Sequence, residues 1–290
     1  MPTSPRQAPC PLLRRAGPAG PAGPAGPAGF ARRAGFAAAL LVALLGSSLA
    51  ARPAAAEQLQ VAVAANFLGT LQKLARSYAG TSGNTLSLSS GSTGQLYAQI
   101  RQGAPFDLFF AADTQRPQRL ESQGLTVAGS RFTYAVGTLV LWSPHAATVD
   151  RRGRVLQRAA FRFLALADPR NAPYGAAAQQ VLMRLGLWQR LNRDGKIVIG
   201  SNITQTWQFA ASGNAQLGFV ALSQVIGPGG RIGGSYWLPP QSLYQPIDQD
   251  AVILARTARR ATAEAFEHWL RSSRAAAAII RDAGYRTDSR

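Results

Sequence analysis

Gln60-Val61-Ala62-Val63-Ala64-Ala65-Asn66-Phe67 is an apolar run that ends in one small polar residue just where a helix-like pattern begins. It reads as a buried strand feeding a helix. In open α/β sheets, ligands bind at the carboxyl edge of the strands, and the free N–H groups of a helix start favour an anion. The same construction recurs around Ser92-Thr93-Gly94, Pro173-Tyr174-Gly175 and Ser201-Asn202-Ile203-Thr204. None of these turns carries a Lys, Arg, Asp or Glu, which points to an anion held by neutral hydrogen-bond donors.

Outward from that stretch, apolar runs alternate with helix-periodic segments. Strands are expected at Leu59–Ala65, Thr85–Ser89 and Phe106–Ala111, with helices at Gly69–Tyr78 and Gly94–Gln102 and a third from a cap at Asp113 to Gln123. A second series has strands Leu164–Ala167, Lys196–Gly200 and Leu217–Ala221 and helices Val155–Phe163, Gly175–Leu185 and Gln205–Ser212. Such alternation implies parallel sheets covered by helices on both faces. Two long extended runs, Thr133–Ser143 and Pro246–Ala255, are suited to cross between lobes, and helices Thr257–Leu270 and Ser272–Ala283 close the chain. The reading is α/β and two-lobed, with lobe I from 57–137 and 246–290 and lobe II from 138–245. Gly227–Gly234 reads as a surface loop.

The first 56 of the 290 residues do not read as folded protein. Gly, Pro, Ala and Arg dominate up to residue 35, an apolar run follows from Phe36 to Leu45, and Ala54-Ala55-Ala56 ends the segment. A basic region, a short apolar region and an Ala-x-Ala site describe a secretory signal peptide and imply a periplasmic protein. The apolar run is too short to span a membrane, which takes roughly 20 residues. Arg32-Arg33 leaves twin-arginine export open beside the general route, and a misassigned start codon would account for the extra leader. Cys10, the chain's one cysteine, lies in this segment, so no disulfide supports the fold. Six arginines precede Glu57, leaving 25 basic against 13 acidic residues and a formal charge of +12 from there on. The arginines are scattered rather than interleaved with aromatics, so nucleic acid is not the expected partner.

Enzyme chemistry finds little support. His145 and His268 lack partners at useful spacing, and there is no Gly-x-Ser-x-Gly or phosphate-loop motif. Asp248 and Asp250 read as a solvated strand edge, and Asp107 and Asp113 as caps flanking a buried run. Asn66, Ser92 and Thr93 could each be a plain helix N-cap, and an isolated Tyr174 could simply pack on the surface. The recurrence of the construction is what favours a site.

Several segments together resemble the periplasmic molybdate-binding proteins of ABC importers over residues 57–290. They are Val61 to Phe67, Gly91-Ser92-Thr93-Gly94-Gln95-Leu96-Tyr97-Ala98-Gln99-Ile100, and Gly103-Ala104-Pro105-Phe106-Asp107 through Asp113. Ala167-Asp168-Pro169, Ala172-Pro173-Tyr174-Gly175 and Leu185-Gly186 continue the likeness. The resemblance implies a type II periplasmic binding protein with two crossing strands, closing over its ligand. It implies an oxyanion held by side chain or backbone at Asn66, Ser92 or Thr93, Tyr174, and the N–H of Ile203. Where other members carry serine this chain has Asn66, whose amide N–H₂ can still donate. Members with a small residue in place of Tyr174 carry a tyrosine later, where this chain has Ala221. The implied ligand is molybdate, with tungstate alongside, and the implied partner is an inner-membrane permease. A monomer without enzymatic activity, cofactor or membrane span is expected. A receptor for sulfate or another oxyanion is the alternative, and an exported α/β hydrolase a more distant one.

Overall fold

The computed structural model describes residues 56–287. The leader reading of residues 1–56 falls on residues outside that range, except for Ala56.

The first lobe opens with β1 (Gln58–Ala64), α1 (Leu68–Ser82), β2 (Thr85–Gly91), α2 (Thr93–Arg101), β3 (Leu108–Phe110), α3 (Gln115–Ser122) and β4 (Phe132–Gly137). The chain then changes sheet. The second lobe holds β5 (Leu139–Ser143), α4 (Val155–Arg158), β6 (Leu164–Ala167), α5 (Pro173–Arg184), α6 (Trp188–Arg193), β7 (Ile197–Gly200), α7 (Ile203–Ala211), β8 (Leu217–Ala221), α8 (Leu222–Val225) and β9 (Ser235–Trp237). β10 (Ile247–Ile253) returns to the first sheet, followed by α9 (Arg260–Ser272) and α10 (Arg274–Asp282).

The two sheets share one plan. The first runs β2-β1-β3-β10-β4 and the second β7-β6-β8-β5-β9. In each, four of the five strands run the same way and the fourth in order is antiparallel to both its neighbours. That fourth strand, β10 or β5, is the one that has just crossed from the other lobe, so it enters running the opposite way. The sheets are therefore mixed, where strand–helix alternation alone predicts parallel ones.

Strand alternation explains the core. Val61 and Val63 pack with Leu71, Leu74, Phe110 and Phe266 on one face of the first sheet, while Ala62 packs with Leu96, Ile100, Phe109 and Leu120 on the other. In the second lobe, Leu139, Leu141, Leu164, Leu166 and Phe219 meet Ala178, Val181 and Leu182 of α5. Val140 and Val220 face Ala210 of α7. Both faces of each sheet are thus covered, as buried parallel strands require. Each fully buried Val, Leu or Phe contributes about 1.5–3 kcal/mol, which supports a core with no cysteine between residues 56 and 287.

Some polar residues differ from the sequence expectation. Asp250 is buried rather than solvated: it accepts from Thr133 Oγ1 at 2.7 Å and pairs with Arg131 at 3.0 Å. Asp113 caps its helix from one residue further out, taking the Arg116 N–H at 3.0 Å. Asp107 caps no helix. Its buried carboxylate accepts from the Gln60 N–H at 2.7 Å and the Thr257 hydroxyl at 2.6 Å, bracing β1 against the segment after β10. Short α6, α8 and β9 have too few residues to show a periodicity.

Asp107→Ala should lower unfolding free energy by about 1–3 kcal/mol, because it removes the acceptor of the part-buried Gln60 N–H and of the Thr257 hydroxyl. Urea denaturation should show a lower midpoint at unchanged m-value; an unmoved midpoint would mean the brace contributes nothing.

Candidate functional site

Asn66, Ser92, Thr93, Tyr174 and Ile203 all line one small cavity between the lobes. All five are buried. No Lys, Arg, Asp, Glu or His lines it, and both histidines are exposed elsewhere. The parallel strands of both sheets aim their carboxyl ends at this point, so turns distant in sequence meet there.

Capping decides which donors remain free. Ser92 is the N-cap of α2; its Oγ accepts from the Gln95 N–H, and its own N–H donates to Gln95 Oε1, both at 3.4 Å. The Gly94 N–H crosses to the Asn171 carbonyl of the second lobe at 2.9 Å. That leaves the N–H of Thr93, at the first helical position, with no acceptor among the described residues. Asn202 caps α7 by accepting from the Thr204 and Gln205 N–H groups at 2.9 and 3.0 Å, leaving the Ile203 N–H over in the same way. Pro173 opens α5 without an N–H, and the Tyr174 N–H likewise finds no acceptor among the described residues. A helix start always carries orphan donors. At α2 and α7 the caps consume their neighbours and leave one N–H over, while α5, with no side-chain cap, leaves the Tyr174 and Gly175 N–H groups. Thr93 Oγ1 accepts from the Ala112 N–H at 3.1 Å, which holds the hydroxyl in place and keeps its proton for donation.

Asn66 departs from the expected role. It neither caps α1, whose N-cap position is Phe67, nor has its amide to spare. Its Nδ2 donates to Gln249 Oε1 at 2.8 Å and to the Tyr285 hydroxyl at 3.0 Å, so both amide hydrogens are used inside the protein. What Asn66 retains for the cavity is its backbone N–H, which has no acceptor among the described residues. Its carbonyl takes the Tyr285 hydroxyl at 2.7 Å and, from the other lobe, the Ser223 hydroxyl at 3.0 Å.

Tyr174 is nearly fully buried, and its hydroxyl accepts from Gln249 Nε2 at 3.3 Å. Its oxygen lies only 2.1 Å from where a Cβ on Gly137 would sit, so the crossing needs glycine there to admit the phenol. Burial pushes the Tyr174 and Tyr134 hydroxyls well above their usual range and Tyr285 up to about 12. All three stay protonated donors at neutral pH. Ala221 is fully buried and does not line the cavity.

Further hydrogen bonds join the lobes around the cavity: Thr204 Oγ1 to the Ala65 carbonyl at 3.4 Å, and Arg116 to the Arg170 carbonyl at 2.8 Å. Arg170 in turn holds the Asp168 carboxyl below its usual range. Gln249, Tyr285, Tyr134, Ser223 and Asn171 are the contributors that sequence reasoning missed. The nearest signal was Gln249 in the crossing run, between two aspartates.

Two mixed sheets, joined by crossing strands and closed over an uncharged pocket of donors, define a receptor that captures a small ligand between lobes. The chain belongs to the family described as bacterial extracellular solute-binding protein, which it matches over residues 59–286. The molybdate-binding protein ModA of Azotobacter vinelandii is 48% identical over 250 residues, covering 86% of this chain and 98% of its own. The protein of the same name from Rhodobacter capsulatus is 46% identical over 256 residues, 88% of this chain and 97% of its own. Among solved structures, the Azotobacter vinelandii periplasmic molybdate-binding protein superposes with a TM-score of 0.78 at 47% identity, over 80% of this chain and 100% of that one. The sulfate-binding protein SubI of Mycobacterium tuberculosis shares the fold at 14% identity, with a TM-score of 0.63 over 80% of this chain and 87% of its own.

Asn66→Ala should destabilise the ligand-free protein by about 1–3 kcal/mol, since it removes the donor to Gln249 and Tyr285. An amide that served only a ligand would leave ligand-free stability untouched, and denaturation without added anions separates the two.

Proposed function

We propose that the protein is the periplasmic receptor for molybdate, and for tungstate alongside it, of an ABC importer. It captures the ion between its lobes and delivers it to an inner-membrane permease; it is not an enzyme. The observation that carries this reading is the meeting of four strand-to-helix turns at one cavity with no charged lining residue. The near-full-length relatives at 48% and 46% identity, both titled molybdate-binding, support the choice of ion. Export through the N-terminal leader and action as a monomer belong to the same proposal.

The proposed donors are the N–H groups of Asn66, Thr93, Tyr174 and Ile203 with the hydroxyls of Thr93, Ser92 and Tyr174. Hydrogen bonds to a charged group contribute about 1.5–3 kcal/mol each, and each helix start adds about 0.3–1 kcal/mol. Half a dozen or so can replace the hydration of a dianion without a counter-ion. Hydrogen phosphate would bring a proton into a pocket with no carboxylate to accept it. Sulfate has no such proton and is discriminated by size, being smaller than molybdate.

A thermal-shift scan against molybdate, tungstate, sulfate and phosphate tests the reading, because a ligand of the folded state stabilises it by about 2.7 kcal/mol at a hundredfold excess over Kd. Molybdate and tungstate should raise the melting temperature at concentrations where sulfate and phosphate do not. A larger shift with sulfate would reassign the receptor.

Closure has its own test. A Cβ on Gly94 would lie 2.7 Å from Asn171 Oδ1 and 3.0 Å from its Cα, across the lobe interface. Gly94→Ala should therefore leave urea stability near the parent value while weakening molybdate binding about 5- to 150-fold, the equivalent of a 1–3 kcal/mol overpacking cost. The ligand-induced fall in radius of gyration, measured by small-angle scattering, should also shrink. Undiminished affinity would show that the lobes need not approach this closely.

A further inference from the structure

Beneath the cavity lies a buried amide that none of the donor turns contains. Gln249 is fully buried on β10, at the point where the pairing of β10 with β4 shifts register between Gln249 and Asp250. Consecutive strand residues normally face opposite sides, and bulges re-aim side chains. Asp250 is taken up by Arg131 and Thr133, while Gln249 reaches inward between the lobes.

Each end of that amide has a defined partner. Oε1 accepts from Asn66 Nδ2 at 2.8 Å and lies 3.0 Å from the Tyr134 hydroxyl, which also reaches the Ala111 carbonyl at 2.9 Å. With the oxygen committed to Asn66 and Tyr134, Nε2 faces the second lobe and donates to the Tyr174 oxygen at 3.3 Å. A phenol has one proton and can accept as well as donate. Accepting from Gln249 forbids Tyr174 from donating in that direction, and Tyr174 is one of the residues that line the cavity.

We propose that Gln249 is a positioning residue for the ion site: by accepting from Asn66 and donating to Tyr174, it directs the Tyr174 hydroxyl proton at the bound oxyanion. It does this from the crossing strand, and so sets one donor from each lobe at once. Asn66 is held by its side chain so that its backbone N–H faces the ion, and Tyr174 is held by its oxygen so that its proton does. Gln249 never touches the ligand. The inference rests on the oxyanion-receptor reading above and adds a residue to it.

The test is a double-mutant cycle by titration calorimetry, with molybdate or whichever scanned oxyanion gives the largest thermal shift. Tyr174→Phe should cost about 10- to 100-fold in affinity, the range for one hydrogen bond to a charged ligand. Gln249→Met, close in size and without donor or acceptor, should cost about tenfold in the parent and less than about twofold in the Tyr174→Phe background, because coupled residues do not add. An equal loss in both backgrounds would make Gln249 a structural residue only and overturn the inference, as would no loss in the parent. If Gln249→Met does not fold, Gln249→Glu keeps the shape. Its carboxylate accepts a hydrogen bond from the Tyr174 hydroxyl and so turns that proton away from the ion. Its repulsion of the anion is common to both backgrounds and cancels in the cycle, so the loss should again be greater where the phenol is present. A parent that binds none of the four anions overturns the functional reading together with the inference. A parent that binds while the cycle shows no coupling overturns the inference alone.

Discussion

An α-helix cannot bond its own first N–H groups, and at α2 and α7 the caps and the facing lobe satisfy all but one of them in each helix. Ser92 serves Gln95, Asn202 serves Thr204 and Gln205, and Gly94 is served from the other lobe, which leaves Thr93 and Ile203 over. The remainder of the architecture brings these leftover donors together. Parallel strands deliver helix starts to one sheet edge, and crossings at Gly137–Leu139 and before Ile247 turn the two edges to face each other. The mixed character of each sheet follows from the same need, since a chain that returns from the facing lobe must enter antiparallel.

Bringing the edges close enough takes small residues and a buried hydrogen-bond network. Gly137 admits the Tyr174 phenol and Gly94 admits Asn171. Around them Asn66, Gln249, Tyr134, Tyr285, Tyr174 and Ser223 form one set of buried hydrogen bonds reaching from lobe to lobe. No buried side-chain polar atom among the described residues lacks a partner. Partly satisfied networks are costly and fully satisfied ones specify a single arrangement. Because burial keeps the phenols protonated, the arrangement also carries no charge of its own.

The fold was largely legible, because strands such as Leu164–Ala167 and Leu217–Ala221 are continuous apolar runs bounded by turns, and the run Thr133–Ser143 does pass from β4 of one sheet to β5 of the other. Pro246–Ala255, expected as a second crossing, instead forms one strand wholly within the first sheet. Strand direction was not legible, since alternation of strands and helices says nothing about a strand that arrives from another lobe. At the site, sequence identified the turns, and the structure draws Asn66, Ser92, Thr93, Tyr174 and Ile203 around one cavity. It could not tell how each residue divides its donors. Asn66 looks like a free amide until Gln249 and Tyr285, far along the chain, are placed beside it. Ser92 and Thr93 are alike in sequence, and only the capping box and the Ala112 contact separate them. A buried glutamine between two aspartates carries no local mark.

The distribution of charge completes the argument. From Glu57 onward the chain is formally +12, yet no charged side chain lines the cavity. The charged groups stand in the flanking grooves, Asp113, Arg116, Arg170 and Asp248 in one and Lys73 and Asp282 in the other. A positive molecule draws an anion from solution, an effect on encounter rate that salt screens. A counter-ion inside the cavity would add attraction but leave a buried, uncompensated charge whenever the ion departs, which typically costs several kcal/mol. An empty neutral N–H or O–H costs less, about 1–3 kcal/mol while it stays buried and unpaired, and water replaces the ligand once the lobes part. A receptor has to give up what it holds, and a cavity of neutral donors in a chain of net positive charge allows both tight capture and release.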